Sequence, residues 1–438
     1  MKKSENNQSR FLKAVVANPE GEIFELAGYT AIGMSGKLQV PLTVEKTTPL
    51  PYGSELMLLP DRKPMVFNLH TQKIETLAEN PYRPGETIFP VAAFNSPGFI
   101  ITYVSAYEEN RNAVQLPLFS YGAVGWHQKG FRSAAICVDR ERRQDLRLMP
   151  IQKIKAGIRR MQQRLPGNRL REHLESCALT YGCPAAKNFF LARYEAPLPT
   201  ATSCNARCVG CISLQGGGNI SNCQERIKFT PQPEEISDLA LEHLRNVKNG
   251  ILSFGQGCEG DPLLAADVIA PAIQRIRLLT NKGTINMNTN ASRPDILKKL
   301  FNIGLDSIRV SMNSVRENCY KAYYRPRAYR FKDVIESIDI AKRMGRFVSI
   351  NYLNCPGFTD SPEETRALMA FLKNHPVDMI QWRNLNIDPI NYLKLMNKTS
   401  NHGLPLGIGV VLEKIKQQFP KMKYGYFNPP KESFYEMV

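Results

Sequence analysis

From Ala196 onward the chain alternates short apolar runs with longer stretches whose apolar residues recur at steps of three and four. APLPTATS leads into a loop, and EEISDLALEHLRNVKN then reads as a helix announced by the Pro-rich TPQPEE. GILSFGQG, GTINMNTN, DSIRVSMN, FVSINYLN and VDMIQWRNLN read as strands. The segments between them, PLLAADVIAPAIQRIRLLTN, SRPDILKKLFNIG, FKDVIESIDIAKRMG and SPEETRALMAFLKNH, read as helices. Strands alternating with helices predict a parallel sheet with right-handed crossovers. Six such units make an α/β architecture, a partial (β/α)6 barrel smaller than the eight-fold one.

The first part of the chain has a different texture. Gly and Pro punctuate it, and GEIFEL, ELMLLP, GFIITYVSAY and FRSAAICVD are short β-type runs. Between Arg140 and Arg193 the pattern turns helical, with Ile151, Ile154, Ile158 and Met161 forming one apolar stripe. The expected organisation is a β-rich N-terminal domain over 1–139, a helical connector over 140–195, the barrel core over 196–392, and a C-terminal helix (GVVLEKIKQQF) with an aromatic tail over 393–438.

Composition narrows the class. At 438 residues, with 43% apolar and 22% charged residues, the chain fits ordinary globular domains. No apolar run approaches the ~20 residues a membrane helix needs. The N-terminal MKKSENNQSRFLKAVV has positive charge but no long apolar run or small-residue cleavage site, so a cytoplasmic protein is expected. In a reducing compartment, clustered cysteines point to metal ligation or catalysis before disulfides. The net charge of +17 adds a question about partners, because basic residues crowd the span 140–171. That span is either a solvated helix face or a surface for RNA or an acidic partner.

The chemistry concentrates in TATSCNARCVGCISLQ. Cys204, Cys208 and Cys211 are spaced C-x3-C-x2-C in the loop that follows the first barrel strand. Structural zinc sites close with four ligands, often as two spaced pairs, and nothing nearby completes a tetrahedron: Cys223 is twelve residues on and His243 is farther. A [4Fe–4S] cubane takes four cysteines, so three leave one iron open.

This motif, at the head of a strand–helix series, resembles the radical S-adenosylmethionine (SAM) superfamily over about residues 196–390. The resemblance implies that Cys204, Cys208 and Cys211 hold a [4Fe–4S] cluster whose open iron is chelated by the amino and carboxyl groups of SAM. It implies reductive cleavage of SAM to methionine and a 5′-deoxyadenosyl radical, which abstracts hydrogen from a substrate. A one-electron reductant such as flavodoxin or ferredoxin follows as a partner. SFGQGCEGDPLL resembles the family's Gly-Gly-Glu-type motif, which holds the SAM ammonium, with Gly255, Gln256, Gly257 and Glu259 at the matching positions. It departs from the simple form in carrying Cys258.

Polar residues at the C-terminal ends of barrel strands point into the site, which nominates Asn288, Asn290, Ser311 and Asn313 for the SAM ribose and carboxylate. Arg325 is a candidate partner of the carboxylate, Asn351 and the Arg383–Asn384 pair close the ring, and each has a plain structural reading beside it. Of the other cysteines, Cys177 and Cys183 are read as buried inert thiols, with a second cluster through Cys137 or Cys223 as the alternative. No P-loop, HExxH or nucleophile elbow is present, and no Rossmann opening. The substrate class stays open between a peptide or protein and an RNA, and a non-catalytic iron–sulfur or nucleic-acid-binding protein is the rival class.

Overall fold

The computed structural model describes residues 10–215, 220–399 and 402–436. The reading of the charged N-terminus falls largely on residues 1–9, outside that set. The chain divides into two compact units: 1–140 with 353–368 and 382–418, and 141–352 with 369–381 and 419–438. The units are not collinear with the chain, whereas the partition proposed from the sequence is linear.

The first unit is built on antiparallel strands around a long central one, Ile23–Ser35, which pairs with Lys13–Ala17, Leu38–Pro41 and Arg62–Asn68. Side chains alternate across a strand, and in Lys13–Ala17 both faces are covered. Ala14 and Val16 join Leu26, Val66 and Ile88, while Val15 and Ala17 join Val91, Ala93 and Val124. The buried Arg62 guanidinium donates from its two terminal nitrogens to Asp388 (3.1 Å) and Glu109 (3.1 Å) and to the carbonyls of Pro60 and Val114, so its charge is paired with two carboxylates.

The second unit opens with three helices, α1 (Ile151–Arg164), α2 (Arg169–Leu179) and α3 (Pro184–Phe190). In α1 the buried stripe is Ile154, Gly157, Ile158 and Met161, and Ile151 is exposed, contrary to the predicted stripe. Ile151 is the first helical residue, where no preceding turn covers it. The sheet then runs in chain order: β1 (Glu195–Pro197), β2 (Ile251–Phe254), β3 (Thr284–Thr289), β4 (Ser307–Met312), β5 (Phe347–Asn354), β6 (Met379–Asn384) and β7 (Lys423–Gly425). The registered pairings are parallel and curl into a partial barrel. The short seventh strand extends the six read from sequence.

Between the strands lie α4 (Pro233–Asn246), α5 (Ala266–Leu279), α6 (Pro294–Asn302), α7 (Glu317–Tyr324), α8 (Phe331–Arg343) and α9 (Pro362–Asn374). Two further helices, α10 (Pro389–Asn397) and α11 (Ile408–Gln418), belong to the first unit. Of these, α7 and α10 were not anticipated.

Parallel strands covered on both faces usually read as continuous apolar runs. Here they alternate. Leu252, Phe254, Ile285, Met287, Ile308, Val310, Val348 and Ile350 form one fully buried apolar face. The other face carries register rows Ser253–Asn286–Ser307 and Asn288–Arg309–Ser349, with Ser311 beside Asn351 above them. These polar groups bond to one another: Asn286 Nδ2 donates to Asn288 Oδ1 (2.9 Å), and Ser307 Oγ to Asn286 Oδ1 (2.9 Å). The tail closes the network, with Asn428 Nδ2 donating to Glu195 Oε1 (2.9 Å) and Ser253 Oγ (3.2 Å), and its Oδ1 accepting from Gln381 (3.1 Å).

His243, on α4, is 1% exposed, and burial pushes its imidazole down to about 4. The folded protein therefore holds this ring neutral where the unfolded chain binds a proton. That stability is complete above the ordinary histidine value and is lost as pH falls toward 4. The loss between pH 6.5 and 4 is expected to reach about 3 kcal/mol. Urea midpoints across that range, with His243→Gln as reference, measure it; equal pH slopes for the two proteins would count against this assignment.

Candidate active site

The cysteine loop leaves β1 and is fastened to the C-terminal ends of its neighbours. Gly260 N donates to Ala201 O (2.6 Å) and Asp261 N to Ser203 O (3.0 Å), which ties it to the turn after β2. Asn290 Nδ2, just beyond β3, donates to Asn205 Oδ1 (2.7 Å), and Asn205 Nδ2 to Ser292 Oγ (2.9 Å). On the far side, Arg207 N and Val209 N donate to Tyr324 O (2.9 Å) and Tyr323 O (3.0 Å). Those carbonyls end α7 and have no partner inside the helix, so loop and helix satisfy each other. The structure thus brings the three cysteines to the mouth of the sheet on a backbone held from three directions.

All three thiols are half-buried. Burial, helped by Asp261, pushes Cys204 up to about 11. Burial also raises Cys208 well above its ordinary value, with Cys204 and Cys211 adding to the effect. Desolvated thiolates that repel one another need a cation to be ionised together. Their sulfurs are not drawn within 4.8 Å as a trio, the tight spacing of ligands around one ion. A cubane, which gives each thiolate its own iron, suits a wider set. Arg226 donates to Cys211 Sγ (3.6 Å), placing positive charge beside the anion such a cluster would make. The donor set therefore fits an iron–sulfur cluster. Sequence reading missed Asn205 and Arg226; an Asn inside the loop was the visible signal for the first, and nothing local marked the second.

Glu259 lies in the turn after β2 and is bonded to the backbone on both sides of it. Its Oε1 accepts from Gly255 N (2.7 Å) and Gln256 N (2.6 Å). Its Oε2 accepts from Thr200 N (2.8 Å), Ala201 N (2.9 Å) and Thr200 Oγ1 (3.3 Å). Burial pushes the carboxyl up to about 7 while these backbone N–H groups oppose the shift. With five donors it is a staple between two loops. Gly255 has φ +80°, and a Cβ there would lie 1.7 Å from Asn288 O, so only glycine fits this turn. Gln256 Nε2 donates to Ser253 O (2.9 Å). Gly257 sits so close to Ile212 and Gln224 that a Cβ would meet both.

Asn288 and Asn290 are also engaged, Asn288 Nδ2 with Gly255 O (3.1 Å) and Asn290 with the cysteine loop. Asn313 is buried and donates to Cys319 O (3.2 Å). Ser311 and Asn351 are register partners and remain half-exposed on the polar face, the position a ligand would reach. Arg325 ends α7 with φ +48° and an exposed side chain. Asn384 is bound within the first unit, accepting from Ile101 N (2.9 Å) and donating to Phe99 O (2.9 Å). Cys223 is exposed, and its backbone N donates to Ile212 O (2.9 Å), one residue beyond Cys211.

Comparison with known proteins agrees with this geometry. The radical SAM superfamily profile matches residues 198–369. The chain is 30% identical over 193 residues to a GTP 3′,8-cyclase of Thermodesulfovibrio yellowstonii, covering 41% of this chain and 56% of that enzyme. It thus spans little more than half the length of that relative. An uncharacterized protein of Methanocaldococcus jannaschii is 26% identical over 233 residues, 49% of this chain and 77% of its own length. Among solved structures, methylornithine synthase (PylB) is 16% identical with a TM-score of 0.37, covering 62% of this chain and 77% of the enzyme. Members of the matched superfamily bind a [4Fe–4S] cluster and SAM. Residues 198–369 are a radical SAM domain, by their match to that superfamily's profile.

Proposed function

We propose that Cys204, Cys208 and Cys211 ligate three irons of a [4Fe–4S] cluster and that the protein uses SAM bound at the fourth. The observation that carries this reading is the cysteine loop itself, fixed to the turns after β2 and β3 and to α7, with Cys204 and Cys211 near enough to act on Cys208. When bound, the cluster supplies the electron that splits SAM into methionine and a 5′-deoxyadenosyl radical. The chain's own part is to hold and shield. Arg226 offsets negative charge at Cys211, Glu259 locks the Gly255–Glu259 turn to the loop, and the half-exposed register partners Ser311 and Asn351 present polar groups toward SAM. Hydrogen abstraction then depends on placing a substrate C–H near the adenosyl carbon, so binding geometry sets the outcome.

A one-electron reductant such as flavodoxin or ferredoxin would load the cluster. A cytoplasmic setting suits the ten free cysteines. No helix among the described residues is long and apolar enough to cross a membrane. The test is anaerobic reconstitution with iron and sulfide, reduction with dithionite, addition of SAM, and mass spectrometry for 5′-deoxyadenosine. A SAM-binding cluster protein that makes none, with or without candidate peptides and RNA, would not be this enzyme.

A peptide or protein remains the first substrate class proposed. A second reading, RNA modification, is favoured by α1, where Lys153, Lys155, Arg159 and Arg164 are exposed with no ion pair among the described residues. Elsewhere in the basic span the charge is spent internally: Arg142 and Arg147 pair with Asp145, Arg169 with Glu235, and Arg171 with Glu175. Four contacts to single-stranded RNA predict a slope of about −3 for log affinity against log salt. Filter binding at several salt concentrations measures it. A flat profile, or no capture, returns the face to a solvated helix.

A further inference from the structure

Outside the cysteine loop, three soft ligands converge in the second unit. His173 and Cys177 stand at i and i+4 on α2, so they share one face of the helix. Cys258 arrives from the turn after β2. His173 Nε2 lies 3.4 Å from Cys258 Sγ and 3.5 Å from Cys177 Sγ. All three ligand atoms fall within 4.8 Å of one another, and both cysteines are buried. With Zn–S near 2.3 Å and Zn–N near 2.0–2.1 Å, a tetrahedral ion separates sulfur from nitrogen ligands by about 3.6 Å. The observed spacings match that edge.

We propose that His173, Cys177 and Cys258 bind one zinc-class metal ion, distinct from the cluster at Cys204, Cys208 and Cys211. Thiolate and imidazole ligands at this spacing select zinc over hard cations, and an iron–sulfur cubane needs a wider set. The fourth position falls to Cys183 or to water. Cys183 stands at the N-cap of α3, its N–H donates to Cys177 O (2.9 Å), and it lies close enough that the charge of Cys177 acts on it and its own acts on Cys258. Phe229 packs edge-on against the imidazole at 6.4 Å and helps keep the site dry. This reading replaces the view of Cys177 as an inert thiol, and it gives Cys258 a purpose inside the Gly255–Glu259 turn. The ion would pin that turn to α2, as Glu259 pins it to the cysteine loop.

The site does not depend on the cluster, so it is tested in the full chain carrying Cys204→Ala, Cys208→Ala and Cys211→Ala. Purified without added metal, this protein is expected to hold about one zinc per chain by plasma mass spectrometry. Adding His173→Ala or Cys177→Ser should lower zinc occupancy by about tenfold or more. Should those variants fold poorly, cobalt(II) exchanged into the chain with the site intact gives the second reading. Intense visible bands of a tetrahedral site with thiolate-to-cobalt charge transfer are expected. Zinc that persists in both variants, or a chain that takes up neither metal and shows a Cys177–Cys258 disulfide, would overturn the proposal.

Discussion

The Cys204→Ala/Cys208→Ala/Cys211→Ala variant is expected to retain no cluster iron and to release no 5′-deoxyadenosine under conditions where the wild-type chain does. The effect is a complete loss because, on the proposed ligation, each of these three thiolates carries one iron. Among the described residues, Ser213 Oγ is 3.9 Å from Cys211 Sγ and a poor iron ligand, and Cys258 is held with His173 and Cys177. The loop itself should survive, since backbone groups and Asn205, not sulfur, tie it to Tyr323, Tyr324 and Asn290. Circular dichroism and zinc occupancy of the variant check that the fold is intact. An unchanged iron content in a folded triple variant would remove the cluster assignment altogether.

Glu259→Gln is expected to lower stability by about 3 kcal/mol and to cost most of the reconstituted cluster. The carboxylate has two or three donors on each oxygen, and an amide replaces one oxygen with a donor. Whichever way the amide turns, N–H groups then face N–H groups in a site 4% exposed. The backbone of Thr200 and Ala201, just before Cys204, loses its anchor to the Gly255 turn. Urea midpoints and iron content measure both effects. The alternative role, a contact to the SAM ammonium, predicts the opposite pattern: an unchanged midpoint, a full cluster and weakened SAM binding. That result would favour the contact to SAM.

The two halves of that comparison show where local reading reaches. The three cysteines were legible because a metal-ligand set on one loop is a local spacing, and the strand–helix rhythm was legible because periodicity is local too. GTINMNTN and DSIRVSMN carry their strand character openly, and β3 and β4 fall inside them. By contrast, α7 has eight residues and no capping side chain, so its tyrosines read as loop. Glu259 matched a motif, yet its partners come from Thr200 and Ala201, nearly sixty residues earlier.

What the sequence by itself determined is the class: an α/β chain with a C-x3-C-x2-C loop after a strand, whose chemistry is an iron–sulfur cluster with SAM. Only the tertiary structure decided which polar residues are engaged internally and which stay half-exposed. It engaged Glu259, Asn288 and Asn290 internally and left Ser311 and Asn351 half-exposed. It also set Cys258 against His173 and Cys177, more than eighty residues away in the chain. The reason is physical. A residue's type and spacing fix what bonds it can make, whereas burial and the other groups folded against it decide which of those bonds are already used.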